Sequence, residues 1–217
     1  MLDPAQPSTV ASSSSAAGAW RCCRALLLFA ACVLPGCGAT GEQPALSGIP
    51  RQRLLQTRPI GAGARFRPVA TGTAIGRCSP TLGTRSAVHV EVFAANRVVI
   101  VAGGIGIRRP WTLSAGRVTH ARCYGDLVTL EPTGVVLVRP GSHRRISALF
   151  RAWGQSLSPS RLASFLASPG THVAAFIDGR RWRGTPGSVP LKAGAEIVLE
   201  VGPYVPPHAT YTFAPGA

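Results

Sequence analysis

The stretch AVHVEVFAANRVVIVA, residues 87–102, decides the fold. Ala87 to Ala94 alternates in the period-two manner of a half-buried strand, with Val88, Val90 and Val92 on one face. Ala95-Asn96 is a tight-turn candidate because Asn tolerates positive φ. Arg97 to Ala102 reads as the returning strand, so the unit is a β-hairpin. The glycine-rich run that follows, Gly103 to Ile107, matches neither GxGxxG nor GxxxxGK[ST]. Its glycines are expected to turn the backbone beside a sheet rather than to cradle phosphate.

Further strands are expected downstream at Leu127 to Glu131 and Gly134 to Arg139, at Thr171 to Asp178, at Arg180 to Arg183 and at Glu196 to Val201. Asp178-Gly179 is a strong hairpin signal. Ile146, Leu149, Phe150 and Trp153 fall at i, i+3, i+4 and i+7, one apolar face of a short helix that Gly154 would end. A second short helix is expected from Ser158 as N-cap and Pro159 at the first helical position, with Leu162, Phe165 and Leu166 inward and Pro169-Gly170 as its stop. His89-Val90-x-x-Phe93 recurs as His172-Val173-x-x-Phe176, a weak echo of one hairpin in another. The fold class is therefore α+β: a mainly antiparallel β-sheet with two short helices on one face. The Pro-rich tail brings Tyr204, Tyr211 and Phe213 over the sheet.

Upstream, Pro and Gly punctuate residues 38–76 without a sustained period, as in a flexible tether. Ahead of it lies RCCRALLLFAACVLPGC, Arg21 to Cys37. Two arginines precede ten uncharged residues that span only about 15 Å as a helix, half of a hydrocarbon core. A signal segment fits that length better than a membrane span. Leu34, Gly36 and Cys37 resemble a bacterial lipobox, in which the cysteine is diacylated and becomes the new N-terminus; Pro35 is less usual there. The organisation expected is residues 1–36 as N-terminal extension and signal, 37–76 as linker after lipidated Cys37, and 77–217 as a single domain. The protein would be exported and membrane-anchored.

The formal charge of +15 invites a nucleic-acid reading. Without residues 1–36 the chain has 21 basic and 7 acidic residues, and Lys192 is its only lysine. Scattered arginines with 6% aromatics lack the interleaved stacking residues of a nucleic-acid face. The partners expected are the membrane through the N-terminal lipid and an anionic lipid or envelope polymer, with no nucleic acid. Export also sorts the cysteines. Cys22, Cys23 and Cys32 leave with the signal and Cys37 is acylated. Cys78 and Cys123 remain as an even pair in an oxidising compartment, read as a structural disulfide worth about 4 kcal/mol. A metal or redox role for the pair has less support, since no CxxC is present.

From His89 to Ile107, HVEVFAANRVVIVAGGIGI resembles a segment of an uncharacterised family of bacterial exported and membrane-anchored proteins, with the pattern HxHxHLxxFVNGxxxxVPxGIGI. Gly134-Val135-Val136 is similar to the GII of that family's CxYWLHTHxxxGIIHIESP. Phe150 to Ser158 is similar to FFxxWGQPL, and Phe176 to Gly202 to FVDGKxYxGDPxxIPLxxHxxIxLxVG. The resemblance spans residues 78–213 and places Cys123 on a family cysteine. Clustered imidazoles at alternate strand positions imply a transition-metal site in that family. Here only His89 remains of the first cluster, beside Arg85 and Ala87, and Val128, Leu130, Leu137 and Arg139 stand at the other histidine and acidic positions. The resemblance therefore implies a lost metal site, with His89 and His172 as the remaining candidates.

The other histidines, 120, 143 and 208, show no ligand spacing. Neither GxSxG nor HExxH occurs, and Glu91, Asp126 and Glu131 are local acids with no nucleophile to serve. No cofactor motif is found. The function expected is a non-catalytic binding or structural module of the cell envelope, with metal handling as the alternative.

Overall fold

A computed structural model describes residues 57–214. Strand β1 spans Ser86–Ala94 and lies at the centre of a seven-stranded sheet. Val88, Val90 and Val92 point to one face and are fully buried, as their alternation requires. On one side β1 pairs in parallel with the last strand, β12 (Glu196–Val201). On the other it pairs antiparallel with β6 (Val135–Val138), which in turn pairs with β5 (Leu127–Val128). β2 (Arg97–Val98) folds back on the end of β1. Beyond β12 come β10 (Ala174–Ile177) and β11 (Arg180–Arg181). All pairings in this sheet other than β1 with β12 are antiparallel. The fold is α+β and dominated by sheet.

The repeated His-Val-x-x-Phe stretches become two similar hairpins, β1–β2 and β10–β11, whose first strands flank β12. Their turns, Ala95-Asn96 and Asp178-Gly179, both take positive φ at the two central residues. That backbone matches the right-handed twist of the strands and explains the Asn and the Asp-Gly at these points.

The inner face carries helix α1, Ile146–Trp153, whose four periodic residues are at most 1% exposed. Gly154 ends it in the left-handed region, with its N–H returned to Phe150 and Arg151 carbonyls. The second helix does not form. Residues 157–166 make a three-stranded meander instead: β7 (Leu157–Ser158), β8 (Arg161–Leu162) and β9 (Phe165–Leu166). The Ser158 hydroxyl accepts the Ser160 N–H at 3.3 Å, a turn contact rather than a helix cap. Ala163 takes φ 51° to make the next turn. Leu162 and Phe165 still reach the core, but Leu166 is 64% exposed. A short segment cannot bear the cost of helix nucleation when only two of its apolar groups would be rewarded.

Several expected strands are shorter than their sequence pattern. Val99 and Ile100 donate to the Val92 and Phe66 carbonyls, and Thr129 leaves the sheet to pair with the glycine-rich loop. Gly106 permits that approach, since a Cβ there would lie 1.9 Å from the Leu127 carbonyl oxygen. A ribbon was not foreseen: β3 (Ile107–Ser114) and β4 (Arg117–Tyr124), joined at Ala115-Gly116. Cys78 and Cys123 lie at disulfide distance with Cα atoms 5.4 Å apart, which ties the segment before β1 to the end of β4.

The described part of the expected linker, residues 57–76, packs on the domain. Ile60 bridges Val98, and Phe66 meets Phe165 with ring centroids 4.8 Å apart. Trp153 donates its indole N–H to the Pro68 carbonyl at 3.1 Å. The folded contacts thus begin before Arg77. Cys37, the expected signal segment and the rest of the expected linker lie outside the described residues.

Candidate functional site

The outer face of the sheet holds the polar residues that the inner face excludes. On β1 this face is Ala87, His89, Glu91 and Phe93, and on β12 it is Glu196, Val198 and Glu200. Parallel pairing sets His89 beside Glu196, so imidazole Nδ1 and carboxylate Oε2 are 2.7 Å apart. Both residues are buried, His89 at 6% and Glu196 at 1% exposure. Glu196 is held from behind as well, its backbone N–H donating to Asp178 Oδ1 at 2.9 Å.

The second ring nitrogen of His89 faces the Thr133 carbonyl oxygen at 3.0 Å. That oxygen only accepts, so Nε2 carries a proton, and a second proton lies between Nδ1 and Glu196 Oε2 across their 2.7 Å contact. Gly134 clears the space, because a Cβ there would stand 3.0 Å from His89 Nε2 and 2.6 Å from the Val90 carbonyl oxygen. Glu91, two residues along β1, brings its carboxylate to the same side. Donor atoms of His89, Glu91 and Glu196 all lie within 4.8 Å of one another. His208 from the C-terminal tail joins from outside, its Nδ1 2.6 Å from Glu91 Oε2. Tyr211 closes the site, stacked on the His89 ring at 3.7 Å between centroids and backed edge-on by Phe213.

Burial pushes the Glu196 carboxyl above the ordinary glutamate range, against the pull of the His89 hydrogen bond. Its second oxygen, Oε1, is buried with no hydrogen-bond partner. A carboxylate in this state lacks part of the solvation that it would have in water. Neither ring nitrogen of His89 contacts a hydroxyl or thiol that it could activate. The arrangement is suited to holding a cation, which would replace the proton between Nδ1 and Oε2 and engage the free carboxylate oxygen as well.

The sequence singled out His89 and His172, and the structure joins only the first to a site. His172 precedes β10, is exposed rather than half-buried in a strand, and lies at the Glu200 end of β12 rather than beside Glu196. His208 corrects the opposite way, since it has no ligand spacing in sequence yet reaches Glu91 across 117 residues. Glu196 was missed. The available signal was EIVLEV itself, a strand carrying acids at alternate positions in front of a tail rich enough in aromatics to cover them.

Of the other positions of the resembled histidine pattern, Val128, Leu130 and Leu137 are apolar packing, while Arg85 and Arg139 make polar contacts with Gly125 and Asp126. Val128 and Leu130 are buried with Ile107, Val118 and Tyr124, and Leu137 packs against them under the β3–β4 ribbon. No protein family, curated protein or solved structure matches the chain. Among the described residues no helix is long and apolar enough to cross a membrane.

Proposed function

We propose that this chain is an exported, lipid-anchored module without catalytic activity whose domain binds a divalent first-row metal ion such as Zn²⁺ through His89, Glu91 and Glu196. The observation that carries the reading is the convergence of one imidazole and two carboxylates within 4.8 Å on adjacent strands. The Thr133 carbonyl supports it by fixing the tautomer, as outer hydrogen bonds do for ligating histidines. Three protein donors leave a fourth position open, and His208 stands behind Glu91 as the hydrogen-bond partner of one of them. Imidazole and carboxylate donors together suit Zn²⁺, Co²⁺ or Mn²⁺ better than a soft Cu(I) ion.

Anchoring rests on Arg21 to Cys37 and on the paired Cys78 and Cys123, which fit an oxidising compartment. The net positive charge then favours an anionic lipid or envelope polymer as neighbour. Two measurements test the two halves. Co²⁺ added to the purified full chain should give visible d–d absorption that Glu196→Gln abolishes; an unchanged spectrum in the variant removes the metal reading. Cys37→Ala should move the protein from the membrane fraction to the soluble one, and a wild type already soluble and unacylated removes the anchor.

A further inference from the structure

A separate cavity of about 390 Å³ opens on the other side of Tyr211, between that ring, the β3–β4 ribbon and the outer face of β6. Its volume is in the range of small-molecule sites. Leu130, Leu137 and Phe213 give it apolar walls, and Arg85, Arg117 and Glu131 give it polar ones. The charges are not balanced. Arg117 and Glu131 pair with each other at 2.6 Å. Arg85 has no carboxylate of its own. Its Nε and Nη1 donate to the Leu82 and Gly125 carbonyls at 2.9 and 2.7 Å, and its Nη2 is buried with no acceptor. The nearby Asp126 acts on Arg85 only through space, since Arg139 and Arg144 hold its two oxygens, and its pull is smaller than the effects of burial and of Arg139. Burial and the Arg139 guanidinium both hold the Arg85 pKa below the ordinary arginine value, so an anion placed there would be doubly favoured.

We propose that this cavity binds a free amphiphilic carboxylate, with its head on the Arg85 guanidinium and its tail against Leu130, Leu137 and Phe213. A guanidinium anchored by two carbonyls is already oriented, so little freedom is lost when it meets a carboxylate. The apolar walls exclude small hydrophilic anions by offering them nothing, and the unmatched positive charge excludes amines. Tyr211 is a wall of this cavity and the cover of the His89 cluster. The two sites nevertheless use different charged groups, and this proposal does not depend on the metal reading.

The test is calorimetric titration of the full chain, in chelator, with decanoate, decanol, decylamine and acetate. Decanoate should bind at least about tenfold more tightly than the other three. Arg85→Leu should weaken decanoate by about tenfold or more and leave decanol unchanged. Because Arg85 also braces two loops, Leu137→Phe, which fills the cavity and leaves the guanidinium in place, provides an independent loss of binding in a chain whose circular dichroism matches wild type. Absence of decanoate binding, equal binding of decanol, or decanoate binding that survives both Arg85→Leu and Leu137→Phe overturns the proposal.

Discussion

Two buried carboxylates, Asp126 and Glu196, are 6% and 1% exposed and differ in everything else. Asp126 lies between two arginines: Arg139 Nε is 3.2 Å from Oδ1, and Arg144 donates to Oδ2. Burial pushes its carboxyl up, but the Arg144 hydrogen bond and the two guanidinium charges outweigh that, and its pKa falls below the ordinary aspartate range. Glu196 has one imidazole nitrogen as its partner and an orphaned second oxygen, and burial raises its pKa against the pull of that hydrogen bond. A carboxylate saturated by permanent charges is a structural clamp. A carboxylate with one oxygen on a ring nitrogen and the other on nothing has room for a further partner. The proposed metal site on the outer face of β1 and β12 rests on this difference more than on any motif.

Breaking the clamp should have the largest effect. Asp126→Asn leaves two partly buried arginines without their anion and should cost about 3 kcal/mol in denaturant unfolding at neutral pH. Because the Asp126 pKa is depressed in the folded state, its contribution is complete above the ordinary aspartate range and lost as pH falls through the folded value. The gap between variant and wild type should therefore close in acid.

The metal site should respond in the opposite direction. Zn²⁺ at about a hundredfold excess over its Kd should stabilise the full chain by about 2.7 kcal/mol, and chelation should remove the gain. Ligation needs Glu196 ionised, and its folded pKa is raised. Affinity should therefore begin to fall, on acidification, at a pH above the ordinary glutamate range.

Glu200 sharpens the comparison on the same strand. It is buried, its pKa is raised by desolvation, and its Oε2 accepts the Val205 N–H at 3.0 Å, a bond that glutamine keeps. A raised carboxyl favours the fold in its protonated form, below the unfolded pKa, and that advantage is lost as pH rises through the folded value. Glu200→Gln should thus be more stable than wild type by about 1 kcal/mol at neutral pH and no different below the ordinary glutamate range. The smallest effect belongs to the cover. Tyr211→Leu should cost about 1 kcal/mol or less in thermal unfolding and leave Zn²⁺ bound, since the ring shields the cluster and supplies no donor.

The legible parts of this fold were those decided by local geometry. The alternation of Val88, Val90 and Val92, the period of Ile146 to Trp153 and the turn residues Asn96 and Asp178-Gly179 each act within a few residues, and each appears in the structure. Ser158 to Leu166 was misread because three apolar residues at helical spacing serve a tight meander equally well once Ser158 and Ala163 make turns. The β3–β4 ribbon was invisible since Val118 is its only deeply buried residue between Ile107 and Cys123-Tyr124, so no alternation shows. Pro59 to Ile75 looked like a tether because its partners, Val98, Trp153 and Asp126, are distant in sequence. The site failed for the same reason. His89 is separated from Glu196 by 107 residues, and nothing local in EIVLEV shows that its two acids are buried.

The central claim, that the half-satisfied cluster is a metal site and the saturated one is not, is tested most directly by native mass spectrometry of the full chain titrated with Zn²⁺. The account expects a single ion per chain at micromolar metal, retained in Arg144→Gln and lost in Glu196→Gln. No bound ion in the wild type, or a bound ion that survives Glu196→Gln, would contradict it.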